Sequence, residues 1–300
     1  MDLSRMLGYT EALSKNNNRT WFHDNHRQYE QAQEDFLMLL DVMKFVLAKD
    51  APQIGDQILF ENPKNFMYRI PRDMRYSKNK TPYNPAFRAY MSPRKKDFLP
   101  LSYYVHISHE RCIIETGAWP WETKQLSRLR EHIAYNYEEL DEICAENGLT
   151  VYGEQLKRTP RGYEPDHPAA DWLKYKFWLT EYSFTESDIA DLDAFADAAG
   201  AAVCRFEPLR QFLMAAFDDR VYEEEKHKSE HPTGAHFSYY VNSYHKYITV
   251  RIRTAGCFER PALKSVLIAH NHARKTRYSE SLELGTHWSC GAYDNSLRIP

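Results

Sequence analysis

Between Asn18 and Lys49 the residues Phe22, Tyr29, Phe36, Leu39, Leu40, Met43 and Leu47 fall on one face of a helix, and beyond Pro52 the period drops to two. That switch constrains the fold more than any other feature. Segments 65–70, 87–91, 101–108 and 111–116, rich in Tyr, Phe, Ile and Val, read as strands of a meander, with His109-Glu110 as a tight hairpin. Helical spacing returns over 122–146 through Leu126, Leu129, Ile133, Leu140 and Ile143. A short strand pair is expected near Gly153, a strand over 175–181, and helices over 186–198 and 206–217. Helices on both sides of a strand run predict an α+β fold: an antiparallel or mixed β-sheet flanked by helices, one main domain plus a C-terminal extension.

Charge marks the extension. From Lys226 onward eleven Lys and Arg stand against five Asp and Glu, whereas residues 1–225 hold 28 bases against 37 acids. The same stretch carries seven of the thirteen His. This predicts a main domain over 1–225 and a basic, His-rich extension or small accessory subdomain over 226–300. Within it, Ser238–Arg253 reads as a strand or hairpin and Leu263–Ala269 as a short helical piece. The five cysteines are odd in number with no C-x-x-C pair, which points to reduced thiols and a cytoplasmic protein. Met1–Thr10 lacks an apolar core, and Asp41 and Lys44 break the longest apolar runs, so neither a leader nor a membrane span is expected.

The densest chemistry lies in Phe66–Tyr83, with five bases and one acid in eighteen residues. Arg presents a planar fork of donors that fits carboxylate and phosphate. Arg69, Arg72, Arg75, Lys80 and Tyr83 are therefore candidate ligand-binding residues. Asp73 is a candidate proton carrier, or else a partner that pairs with Arg69 or Arg75 and pins the loop. Arg19 follows Asn16-Asn17-Asn18 at a helix start, where free N–H groups favour anions, although capping alone explains the Asn run. Lys157 and Arg158 add charge beside a Pro/Gly turn. His167 is the second candidate acid–base group, since His titrates near neutrality. The bland reading of each is structural: a cap, a loop staple, a satisfied histidine.

No metal site is expected. His106 and His109 do not share a helical face, and Cys257, His270, His272, His287 and Cys290 lack a zinc spacing. With no Walker loop, G-x-G-x-x-G or G-x-S-x-G elbow, no cofactor is expected either.

Three ordered blocks carry a resemblance. Tyr68-Arg69, Arg72-Asp73, Arg75-Tyr76-Ser77 and Lys80-Thr81-Pro82-Tyr83 form one. Asn16-Asn17-Asn18-Arg19, Trp21-Phe22, Asn25 and Tyr29 precede it, and Leu156-Lys157-Arg158, Pro160, Gly162-Tyr163 and His167-Pro168 follow. Tyr103-Tyr104-Val105-His106 and Gly117-Ala118-Trp119-Pro120 fit as well. Over about residues 3–220 the chain resembles the domain of unknown function 2461 family. It departs where the family often has a base after TPY and this chain has Asn84, and where the family is glycine-rich and this chain has Leu101-Ser102 and Thr116-Gly117-Ala118. The family carries no established reaction, so the resemblance implies kinship and not mechanism.

Three function classes stay open. The first is an enzyme or binder with an Arg-rich pocket for a phosphate- or carboxylate-bearing small molecule. The second is a protein-interaction module with a structural Arg network. The third is a nucleic-acid-binding module, which the acidic balance of residues 1–225 disfavours, because such domains are basic overall. Oligomeric state is not legible.

Overall fold

The structure, a computed structural model, describes residues 2–76, 78–94, 97–120 and 122–219, and the backbone of 237–240 and 249–252. Ser77 and the expected tail features, Leu263–Ala269 and the ligand candidates Cys257, His270, His272, His287 and Cys290, lie outside the described residues.

The chain opens with α1 (Leu3–Lys15), α2 (Arg19–Asp24), α3 (His26–Asp50) and α4 (Pro52–Ile58). Asn18 caps α2, its side chain accepting from the Trp21 N–H at 2.9 Å. The single helix expected over 19–49 is two helices. Asn25 breaks it: its backbone leaves the helical region, and its amide Nδ2 donates to the Trp21 carbonyl at 2.9 Å. A short polar side chain that bonds its own backbone competes with the helix ladder.

The sheet is fully antiparallel in the order β1 (Phe87–Met91), β2 (Tyr103–Ile107), β3 (Cys112–Ala118) and β4 (Trp178–Ser183), with α5 (Thr123–Glu146) and α6 (Ala170–Leu173) between the last two strands. The fold class is α+β. The expected strand at 65–70 is instead a 3₁₀ turn (Pro63–Asn65) and an isolated bridge, Met67 to Ala89 beside β1. Pro63 and Pro71 lack the donors that a longer ladder needs. On the opposite edge Tyr152 and Leu179 exchange backbone bonds at 2.8 and 3.0 Å, the short pairing expected near Gly153.

The two helices expected over 186–198 and 206–217 are one long helix, α7 (Leu192–Ala215), after a 3₁₀ turn. Ala199, Ala202 and Val203 leave its middle without large side chains, which broke the sequence pattern; all three are buried in the core shared with α3. Small residues there allow a close helix approach.

Alternation sorts the strands. Phe87, Ala89, Met91, Tyr103, Val105 and Ile107 are buried against α1, α3 and α7. The other parity, Arg88, Tyr90, Tyr104, His106, Glu115 and Glu181, faces away from that core. A second cluster packs α5, α6 and the end of α7 around Trp178. Gly117 has φ +138° and sits so close to β4 that a Cβ would fall 2.1 Å from the Trp178 carbonyl oxygen. Only glycine fits that approach.

Strands β5 (Phe237–Tyr240) and β6 (Thr249–Ile252) pair antiparallel, in the stretch 238–253 where a strand or hairpin is expected.

Candidate functional site

The Arg-rich loop folds largely onto itself. Arg75 clasps Asp73 through Nε and Nη2, the shortest contact being 2.6 Å, with both side chains exposed at 77% and 57%. Arg75 holds the Asp73 carboxyl below its usual range. Arg72 donates to Thr81 Oγ1 at 3.0 Å and Lys80 to the Met74 carbonyl at 3.0 Å. Tyr83 stacks on Phe22 at 4.1 Å, which joins the loop to α2. Arg19, Arg69, Lys157 and Arg158 are exposed. His167 Nδ1 accepts from the Ala169 N–H at 3.0 Å at the start of α6, and its ring meets Tyr137 and Tyr163 edge-on.

A cleft lies elsewhere, on the open face of the sheet. It encloses about 540 Å³, within the range of small-molecule sites. Its floor is Arg88, Tyr90, Tyr104, Glu115 and Gly117; its walls include Tyr68, Phe98 and Trp119. Trp119 is 59% exposed and stacks one face on Phe177 at 4.5 Å. A second hollow beside Gln57, Glu61 and Ser92 holds about 170 Å³, too small for most ligands. None of the ten residues singled out from sequence lines either one. The loop 69–83 does leave the cleft wall at Tyr68.

Arg88 is the cleft's unusual group. Its guanidinium lies 5.5 Å from the Tyr68 ring centroid, and no carboxylate pairs with it among the described residues. In the orientation that satisfies both groups, the Asn84 amide oxygen accepts from Nη1 and Nη2 at 3.2 Å. Its Nε is buried with no acceptor. Asn84 stands where the resembled family often has a base, and a base beside Arg88 would repel it.

Next to it His106 bridges hydroxyls, with Tyr104 Oη 3.2 Å from Nδ1 and Ser108 Oγ 3.1 Å from Nε2. Burial, then Arg111 and Arg88, push the imidazole down to about 4, so it is neutral at physiological pH. Across the cleft the Tyr152 hydroxyl contacts both Glu115 and Glu181, and Glu181 pairs with Arg111. Burial raises the Glu115 carboxyl above its usual range.

The family model described as conserved hypothetical protein (DUF2461) matches residues 5–212, more than half of the chain. The chain belongs to the DUF2461 family. No curated protein and no solved structure matches it. Three of the blocks that resemble DUF2461 supply cleft residues: Tyr68 from the Tyr68–Tyr83 block, Tyr104 from the Tyr103–His106 block, and Gly117 and Trp119 from the Gly117–Pro120 block. Sequence reasoning missed Arg88, Arg111, Glu115, Tyr152 and Glu181. The signal was present as polar residues on alternate strand positions, but a face becomes a site only when the register aligns the strands.

Among the described residues no group of His, Cys, Asp and Glu has metal-site geometry, and no helix is long and apolar enough to cross a membrane.

Proposed function

We propose that this DUF2461 protein binds a small molecule bearing a phosphate or carboxylate group in the cleft on the open sheet face, and acts in the cytoplasm. One observation carries the reading. Arg88 holds a cation on the cleft floor with a buried Nε that lacks an acceptor and with no carboxylate partner among the described residues. A half-buried guanidinium with a buried, unsatisfied Nε is costly, and an anionic ligand supplies both the counter-charge and an acceptor. Tyr68, Tyr104 and Trp119 offer ring faces to the rest of the ligand.

Arg19, Arg69, Lys157 and Arg158 belong to the proposal as exposed charges that draw anions toward the domain. If the ligand is a substrate, Asp73 and His167 are the proton carriers named from sequence, and neither lines the cleft. A second reading, an interaction module with a structural Arg network, draws support from the Asp73–Arg75 clasp and the Arg72 and Lys80 staples.

Sulfate at millimolar concentration should raise the melting temperature more than chloride at matched ionic strength. Arg88→Met should remove the increment and Arg75→Ala should keep it. Loss in Arg75→Ala with retention in Arg88→Met would move the site to the loop. No increment in the parent protein would leave the structural network.

A further inference from the structure

Glu115 on β3 and Glu181 on β4 are direct cross-strand partners, and both touch one hydroxyl. Glu181 Oε2 lies 2.8 Å from Tyr152 Oη, and Glu115 Oε2 also contacts that atom. A tyrosine hydroxyl has one proton to donate. With both carboxylates ionised, one of the two contacts would set oxygen against oxygen with no hydrogen between, beside a second negative charge. The arrangement is complete only with one more proton.

Its place follows from the neighbours. Glu181 is paired with the Arg111 guanidinium, which favours a carboxylate there. Glu115 lies on the cleft floor with Tyr152 as its hydrogen-bond partner. The consistent order is Glu115 O–H donating to Tyr152 Oη, Tyr152 O–H donating to the Glu181 carboxylate, and Arg111 balancing Glu181.

We propose that Glu115, Tyr152 and Glu181 share this extra proton at neutral pH and make the cleft a proton-coupled anion site, one that takes its anionic ligand while Glu115 is the neutral acid. The ligand half rests on the Arg88 reading; the shared proton does not. With the proton present, Arg111 and Glu181 cancel and Arg88 leaves the cleft floor positive. When Glu115 ionises, its charge offsets Arg88, two strands across and two residues along, about 12 Å between backbones. At that separation a unit charge is worth several-fold in affinity.

The histidine and the tyrosines that face Glu115 keep one charge state through the relevant window. His106 is already neutral above about 4. Burial raises Tyr68, Tyr90 and Tyr104, so they stay neutral. Asp97 is an exposed carboxylate of the cleft lining, and Arg88 and Arg111 keep their charge. Burial raises Glu115 itself, with Tyr152 and Arg111 opposing. The free-ligand titration must not intrude either, so sulfate is the probe.

Sulfate binding is measured by calorimetry from about pH 5 to about pH 9, alongside a carbon-13 carboxyl titration of Glu115. The resonance is assigned through Glu115→Gln or, if that variant does not fold, Glu115→Asp. Affinity should fall at least about threefold as pH rises through the Glu115 titration. Glu115→Gln should bind at the low-pH affinity throughout. Sulfate binding with no pH dependence would overturn the coupling and leave the Arg88 site standing. No sulfate binding at any pH would overturn both the Arg88 reading and the anion half of this one. A Glu115 that titrates near the ordinary ~4.3 would overturn the shared proton whether or not sulfate binds.

Discussion

Asn17 and Tyr83 hold each other by a reciprocal pair of hydrogen bonds: Asn17 Nδ2 donates to the Tyr83 carbonyl at 2.9 Å, and Asn17 Oδ1 accepts from the Tyr83 N–H at 3.0 Å. One side chain thereby satisfies both backbone groups of a residue 66 positions away. It fastens the turn after α1 to the end of the Arg-rich loop, where Tyr83 also stacks on Phe22. Asn17→Ala leaves a part-buried donor and acceptor unpaired. It should destabilise by about 1–3 kcal/mol, two hydrogen bonds' worth, measured by urea denaturation. Asn17→Asp keeps the acceptor and should recover part of the loss.

Arg75 offers a contrasting case. Its clasp on Asp73 has bidentate geometry, yet both groups stand in water. Exposed pairs are screened and add little to stability. Arg75→Ala should leave the melting temperature essentially unchanged, and Asp73 should then titrate nearer its ordinary value, as read by carboxyl NMR. A large thermal loss would show that the pair anchors the loop from within the fold.

The fold was legible where periodicity was local and strong. The segments 87–91 and 101–108, rich in Tyr, Phe, Ile and Val, read as strands and contain β1 and β2. Legibility failed where a short polar residue or a small-residue run intervened, at Asn25 and at Ala199–Ala202, because tertiary packing there overrides the local pattern. The Asp73–Arg75 pairing was among the alternatives a reader of the loop would weigh. The cleft was not readable. Arg88, Glu115, Glu181 and Tyr152 come from four separate segments, and only the strand register sets them on one face. The dense run of Arg in the 69–75 loop is the stronger local signal, although it pairs mostly with its own loop.

A buried network ties α7 to the sheet. Arg210, 1% exposed, donates to both Glu207 oxygens, to the Leu101 carbonyl at 3.0 Å and to Gln53 Oε1 at 2.9 Å, while the Tyr103 hydroxyl donates to Glu207 at 2.7 Å. Arg210→Met strands the Glu207 charge in the interior. It should cost about 3–5 kcal/mol by chemical denaturation. The double variant Arg210→Met/Glu207→Gln should recover part of that, because the stranded charge is gone.

His106 sets an acid limit on the domain. In the unfolded chain it binds a proton near its ordinary 6.5; in the folded protein burial and the neighbouring Arg111 and Arg88 delay that to about 4. The unfolded state therefore binds more protons between these values, and stability falls as pH drops through the window. The contribution is fully present above about 6.5 and lost as pH approaches about 4. Its upper bound is about 3 kcal/mol, reduced by solvent screening of a ring that is only half-buried. His106→Gln keeps hydrogen-bonding capacity toward Tyr104 and Ser108 without a titrating ring. Its denaturation free energy should change less between pH 7 and pH 4.5 than that of the parent, with the two curves diverging below about pH 6. Identical pH dependence in the two proteins would show that His106 is protonated in the folded state as readily as in the unfolded one.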